Sequence, residues 1–184
     1  MPNWAYNSVT ISHTDPEMME KFRQGVEEGN LLETFIPIPA ALVNTTAPST
    51  ETNEDLLRLY GSDNWYDWNW KNWGTKWDVS NGSFDLDEDK LSGSGYFETA
   101  WSPPIQAYEN LKKLGFVIDA TYTEESMAFA GRYQSISGDD YYEIDFDEEN
   151  WREDIDDPEV LELLESEYES WLEFRENQND ESGE

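Results

Sequence analysis

From Asn7 to His13 the chain alternates, Val9 and Ile11 falling to one side and Thr10 and Ser12 to the other, the pattern of a half-buried strand. TDPEMMEKFRQGVEEGN then changes period. Asp15 stands as a cap, Pro16 at the first helical position, Met18, Met19, Phe22 and Val26 form an apolar side, and Gly29-Asn30 stops the helix. Phe35 to Asp55 carries three prolines within FIPIPAALVNTTAPSTETNED and reads as extended chain and loop, followed by a short helix around Leu56, Leu57 and Tyr60. SFDLD and GYFETAW read as paired strands. SPPIQAYENLKKLGF gives a third helix, the second with clear caps, with Ser102 as its cap, Pro103 in the first turn and Gly115 as its left-handed stop. FVIDATYTEE alternates again, and SMAFAGRYQSIS and DYYEIDFD add two more strands. From Asp157-Pro158 onward, Val160, Leu164, Tyr168, Trp171 and Leu172 fall on one side of an amphipathic helix.

Strand, helix, strands, helix, strands is the order of an α+β fold. The ferredoxin-like arrangement, with helices on one face of an antiparallel sheet, is its usual solution. The expected organisation is a ferredoxin-like domain over 1–138, an acidic strand and amphipathic helix over 139–176 packed on it, and a disordered tail over 177–184.

Charge sharpens that division. The 184 residues hold 42 Asp plus Glu against 11 Lys plus Arg, a net charge of −31. The stretch from Asp139 to Glu184 has only Arg152 and Arg175 as bases. Such a surface repels nucleic acid and anionic membrane and attracts basic proteins. Cysteine is absent, which removes disulfides, thiol nucleophiles and cysteine-type zinc sites. With no signal-like start and no long apolar run, the expected setting is the cytoplasm, with no membrane contact.

WYDWNWKNWGTKW holds five of the nine tryptophans. Tyr66, Trp70, Trp73 and Trp77 share one side of a helix provided Gly74 does not break it. A base-stacking platform needs exposed rings among many bases. Here only Lys71 and Lys76 are present, so these rings are expected to be mainly core, with one or two left exposed as interface anchors. MPNW followed by Asn7, WYDW, NWGTKWD (Asn72 to Asp78), ETAWSPP (Glu98 to Pro104) and MAFAG (Met127 to Gly131) together resemble the phage- and plasmid-encoded family of proteins with a YubB-type ferredoxin-like domain. The resemblance covers roughly 1–138. It implies that fold and a setting on mobile elements, and it carries over no catalytic residue.

Catalytic chemistry is sparse. His13 is the one imidazole and sits at a strand end, where a structural role is the usual one. No nucleophile elbow, paired histidines or phosphate-cradling glycine loop is present. Asp85, Asp87 and Asp89 begin like a calcium loop, but Lys90 stands where glycine is required and Tyr96 where the bidentate glutamate belongs. No metal and no cofactor is therefore expected.

The C-terminal helix carries the most specific pattern. Glu162, Glu165, Glu169, Glu173 and Glu176 recur every three or four residues along one side, about 5–6 Å apart along the axis, comparable with about 6–7 Å between phosphates on one nucleic-acid strand. Like charges at this spacing cost a helix a few tenths of a kcal/mol per pair, a cost that solubility alone does not require. The expectation is a non-catalytic, phage-type inhibitor that mimics nucleic acid and occupies the basic channel of a host restriction, nuclease, repair or transcription protein, without binding nucleic acid itself. Asp139, Asp140, Asp145, Asp147, Glu148 and Glu149 would extend the acidic surface, and Trp151 or Trp171 would anchor it. Two other readings stand beside it: an enzyme acting on a small or cationic substrate in a cleft walled by Trp73, Trp77 and Trp101, and a structural or assembly module pairing through a sheet edge.

Overall fold

The computed structural model describes residues 3–124 and 129–181, the side chains of 174 and 176–181 excepted. Its elements are β1 (Trp4–Ser12), α1 (Pro16–Glu28), α2 (Leu31–Phe35), α3 (Glu54–Tyr60), α4 (Trp65–Asn72), β2 (Ser80–Leu86), β3 (Ser92–Ala100), α5 (Ile105–Lys113), β4 (Val117–Glu124), β5 (Phe129–Gln134), β6 (Gly138–Glu143) and α6 (Pro158–Glu181). The strands form one six-stranded sheet in the order β2-β3-β1-β4-β5-β6. Every neighbouring pair is antiparallel.

Strand alternation assigns the two faces of this sheet. Val9 and Ile11 of β1, Phe97 of β3 and Ile118 and Ala120 of β4 turn to one side, where they pack with Met19, Phe22 and Val26 of α1 and Ala107, Tyr108 and Leu111 of α5. Asp15 caps α1 by accepting the Glu17 N–H at 2.9 Å, and Gly29 ends it in the left-handed conformation. Ser102 does not cap α5 as the sequence pattern suggests. The helix begins at Ile105, and the Ser102 hydroxyl donates to the Gly74 carbonyl at 2.6 Å.

The other face is half covered. Thr123 of β4 and Ala130 and Arg132 of β5 lie under α6 and the loop before it. There Ala130, Ile144, Trp151, Ile155, Val160 and Leu164 form a second apolar core. Helices thus lie on both faces, because the acidic segment buries an apolar stripe of its own. Asp157 caps α6, accepting the N–H groups of Glu159 and Val160 at 2.9 and 3.1 Å. The helix continues past 176 to Glu181, since no proline or glycine interrupts it before Gly183; residues 182–184, part of the expected tail, lie outside the described residues.

Gly74 does break the tryptophan helix. Its φ of 80° ends α4, so Tyr66, Trp70, Trp73 and Trp77 do not share one stripe. Trp68 and Trp73 enter the main core, whereas Trp77 is exposed.

Candidate functional site

Several motif residues prove to be internal struts. Buried Asn7 donates through Nδ2 to the carbonyls of Ala5 and Phe97 and to Thr99 Oγ1, and its Oδ1 accepts from the Tyr108 hydroxyl. In NWGTKWD, Trp73 Nε1 donates to the Ile36 carbonyl at 2.9 Å and Thr75 Oγ1 to the Ala100 carbonyl at 2.9 Å. Asp78 accepts the N–H groups of Leu32, Glu33 and Val79, each at 2.8 Å. Burial pushes the Asp78 carboxyl up against the opposing pull of those three bonds. Gly131 lies where an added Cβ would fall 2.3 Å from the Tyr122 hydroxyl, and that hydroxyl donates to Asp139 at 2.8 Å. Met1 and Pro2 of MPNW and Met127 and Ala128 of MAFAG lie outside the described residues.

His13 is likewise structural. Its Nδ1 accepts the Asp15 N–H at 2.9 Å, its Nε2 lies 3.1 Å from the Leu114 carbonyl, and its ring packs on Phe116. Trp73, Trp77 and Trp101 do not all wall one cleft: Trp73 is core, whereas Trp77, packed against Trp4, shares the Lys76 ammonium with Trp101 at 4.4 and 4.6 Å from the ring centres, and Trp101 also lines an aromatic cavity of about 490 Å³ with Trp70, Phe129 and Tyr141. Among the described residues, no group of three or more His, Asp or Glu is placed to hold a metal ion, and no helix is long and apolar enough to cross a membrane.

The acidic segment is docked by aromatic packing and by arginines. Phe146, Trp151, Tyr168 and Trp171 form a chain of ring contacts with centroids 5.0–5.9 Å apart. Arg132, on the covered sheet face, grips Asp119 with two bonds of 2.7 Å and reaches Asp157 at 3.3 Å and Glu159 at 2.9 Å. Arg152 lies over the rings of Trp151 and Tyr168 and holds Glu165 with bonds of 2.6 and 2.8 Å. These bonds hold the Glu165 carboxyl below its usual range. Arg175 covers Trp171 and pairs with Asp147. Arg152 and Arg175 are therefore spent within the acidic segment, and Arg132 ties it to the sheet.

Docking divides the expected site residues. Glu162, Glu169 and Glu173 are exposed on the outer side of α6. Glu165 leans from that line into its pair with Arg152, and Glu176 lies outside the described side chains. Asp140, Asp145, Glu148 and Glu149 are exposed with no ion-pair partner among the described residues, whereas Asp147 is paired. Asp139 is exposed at its edge but part of its carboxyl is covered; burial pushes it up, against the opposing pull of the Tyr122 hydroxyl. Trp151 is 5% exposed and belongs to the second core, so it is no surface anchor, because the Ile155, Leu164 and Phe146 side chains enclose it. Trp171 is half-buried between Tyr168 and Arg175.

A second group was not among the site residues singled out from sequence: Trp4, Tyr6 and Tyr96 stand exposed on the uncovered half of the sheet, beside Trp77. Only the even-numbered spacing of Trp4 and Tyr6 within a strand opposite to Val9 and Ile11 signals it. Comparison of the chain with protein-family models, with curated proteins and with solved structures finds no match.

Proposed function

We propose that this chain is a non-catalytic binding protein that presents an acidic surface in place of nucleic acid and so blocks the basic groove of a DNA- or RNA-binding protein of a phage or plasmid host. One observation carries the reading: Arg152 and Arg175 are consumed by Glu165 and Asp147 and Arg132 by Asp119, Asp157 and Glu159, which leaves Glu162, Glu169 and Glu173 on α6 and Asp140, Asp145, Glu148 and Glu149 without an ion-pair partner among the described residues. At about 1.5 Å per residue, Glu162 and Glu169 lie roughly 10.5 Å apart along the axis and Glu169 and Glu173 roughly 6 Å apart. The second spacing is close to that of neighbouring phosphates, and the first, with Glu165 withdrawn between them, falls short of the about 12–14 Å of two phosphate steps. Carriage on a helix packed against the second apolar core favours this role, since charges placed in that way need less ordering on binding.

We take the first four strands and the helices α1 and α5 as a ferredoxin-like unit, in the order β2-β3-β1-β4 of that fold, so that β5, which the sequence reading put inside the unit ending at 138, joins β6 and α6 as an addition, and we take the YubB-type resemblance as its setting. The test is capture: tagged protein is incubated with bacterial extract, washed, and eluted with duplex DNA or with rising salt. The reading predicts a basic nucleic-acid-binding protein in both eluates, because exposed charges are screened within about 10 Å at 0.1 M salt. A partner that DNA does not release, or that salt leaves bound, refutes it.

A further inference from the structure

The uncovered half of the sheet is a second surface, distinct from the α6 stripe. Strand register places Tyr6 opposite Glu98, Ser8 opposite Tyr96 and Thr10 opposite Ser94 on one face. Tyr6 and Tyr96 stack with centroids 5.7 Å apart and planes 20° from parallel, and Trp4 meets Trp77 at 6.3 Å. Trp4, Tyr6, Trp77 and Tyr96 are 38%, 42%, 40% and 42% exposed. Large rings left in water on a strand face, spaced by small hydroxyl residues, have the composition of protein-recognition surfaces, where rigid rings supply contact area at low entropic cost.

The charges around these rings select the occupant. Glu98 lies on the face beside Tyr6, where its Oε2 accepts the Asn81 side-chain N–H at 2.7 Å and its Oε1 is left for a ligand, and Asp85 of β2 sits opposite Ser94. On the other side α6 forms a wall: Trp4, Tyr6, Thr123, Leu163, Ser166 and Glu167 line a groove of about 360 Å³, in which Glu167 accepts the Thr123 hydroxyl at 2.8 Å. Burial, then Tyr96 and Glu98, push the Tyr6 phenol above its usual range, as expected where rings and carboxylate share one negative field. At the far end the ammonium of Lys76 already rests 4.4 Å from the Trp77 ring centre, so this aromatic surface accommodates a cation over a ring face. An anionic or base-stacking ligand would meet carboxylates and a net charge of −31.

We propose that the Tyr6–Tyr96 platform, with Glu98 at its edge and α6 as its wall, receives an arginine-bearing segment of a partner protein. The planar guanidinium stacks on the rings while its N–H fork meets the Glu98 carboxylate, a geometry that an ammonium does not reproduce. The inference rests on the preceding section only in taking the partner to be basic. It assigns side-chain selectivity to the sheet face and leaves general charge attraction to α6.

The experiment titrates the protein with two unstructured peptides of equal length and charge, one arginine-rich and one lysine-rich, by calorimetry. The arginine peptide is expected to bind about fivefold more tightly. Combined Tyr6→Ser and Tyr96→Ser abolishes that preference, whereas combined Tyr6→Phe and Tyr96→Phe keeps it. Combined Glu162→Gln, Glu169→Gln and Glu173→Gln weakens both peptides and leaves their ratio unchanged. Should the serine variant fail to fold, Glu98→Gln, which retains every ring, must lower the ratio. Equal affinities for the two peptides, or a ratio that survives both the serine variant and Glu98→Gln, overturns the proposal. So does an oligothymidylate that binds the wild type and not the serine variant, which would make the platform a base-stacking surface. A lost peptide ratio with intact DNA competition would leave the acidic stripe standing; an intact ratio with no DNA competition would do the reverse.

Discussion

Arg132→Met tests how the acidic segment is held. The Arg132 side chain is 12% exposed and its partner Asp157 14%, while Asp119 and Glu159 are 37% and 57% exposed. Removing one member of a buried pair costs about 3–5 kcal/mol, and pairs with exposed members add about 0–1 kcal/mol each. Asp157 keeps the two N–H groups that it caps, so the lower end applies, about 3 kcal/mol, or roughly 6–12 °C in melting temperature for a chain of this size. Urea unfolding followed by tryptophan fluorescence measures it, with hydrogen exchange reporting whether α6 opens before the sheet. The cost also depends on pH. Burial alone would raise the Asp119 carboxyl, but bonds from Arg132 and Gln134 outweigh it and hold the group below its usual value. A carboxyl lowered in the fold stabilises above its unfolded pKa and loses that contribution as pH falls through its folded pKa. The difference between wild type and Arg132→Met therefore shrinks in acid. A variant within about 0.5 kcal/mol of wild type, the range of ordinary surface substitutions, would mean that the apolar core alone docks the segment.

Other substitutions separate core from surface. Trp73→Ala should cost roughly 3–5 kcal/mol in the same urea assay, whereas exposed Trp77→Ala should cost less than about 1 kcal/mol. Asp139→Asn keeps an acceptor for Tyr122 and removes a charge whose folded pKa is raised, so it should raise the melting temperature at pH 7; a raised carboxyl favours the fold below its unfolded pKa and loses that advantage as pH rises through the folded value, so the gain closes as pH is lowered. Ending the chain after Gly138 removes β6 and α6 and bares the β5 edge and the Ala130 side of the sheet. Light scattering should then show association, and a monomeric product with unchanged melting would show the first 138 residues to be self-sufficient.

The regular elements were legible where period and caps agree, as at β1, α1 and β4. Their failures have local causes: Ser102 looks like a cap but is drawn to the Gly74 carbonyl, and Gly74 stops α4 where the aromatic spacing would continue it. The acidic stripe was legible as spacing but not as charge, since nothing in sequence announces that Arg152, thirteen residues before Glu165, folds back to neutralise it. Trp151 was misread for the same reason: its burial depends on a long-range pairing of loop and helix. The Tyr6–Tyr96 platform was invisible because its rings come from strands 90 residues apart, joined only by register.

Fluorescence-anisotropy competition tests the central claim most directly. Labelled duplex DNA is bound to the partner recovered by capture, and the protein is titrated in at fixed salt, as wild type and with Glu162, Glu169 and Glu173 replaced by Gln. Glutamine keeps helix propensity and shape, so folding should be retained, and lost steering should appear chiefly in the association rate. Glu165→Gln, at a residue already paired with Arg152, should displace DNA nearly as well as wild type. The account predicts full displacement by wild type and sharply weaker displacement by the triple variant. A ternary complex of DNA, partner and this protein, or equal displacement by the triple variant, would contradict it.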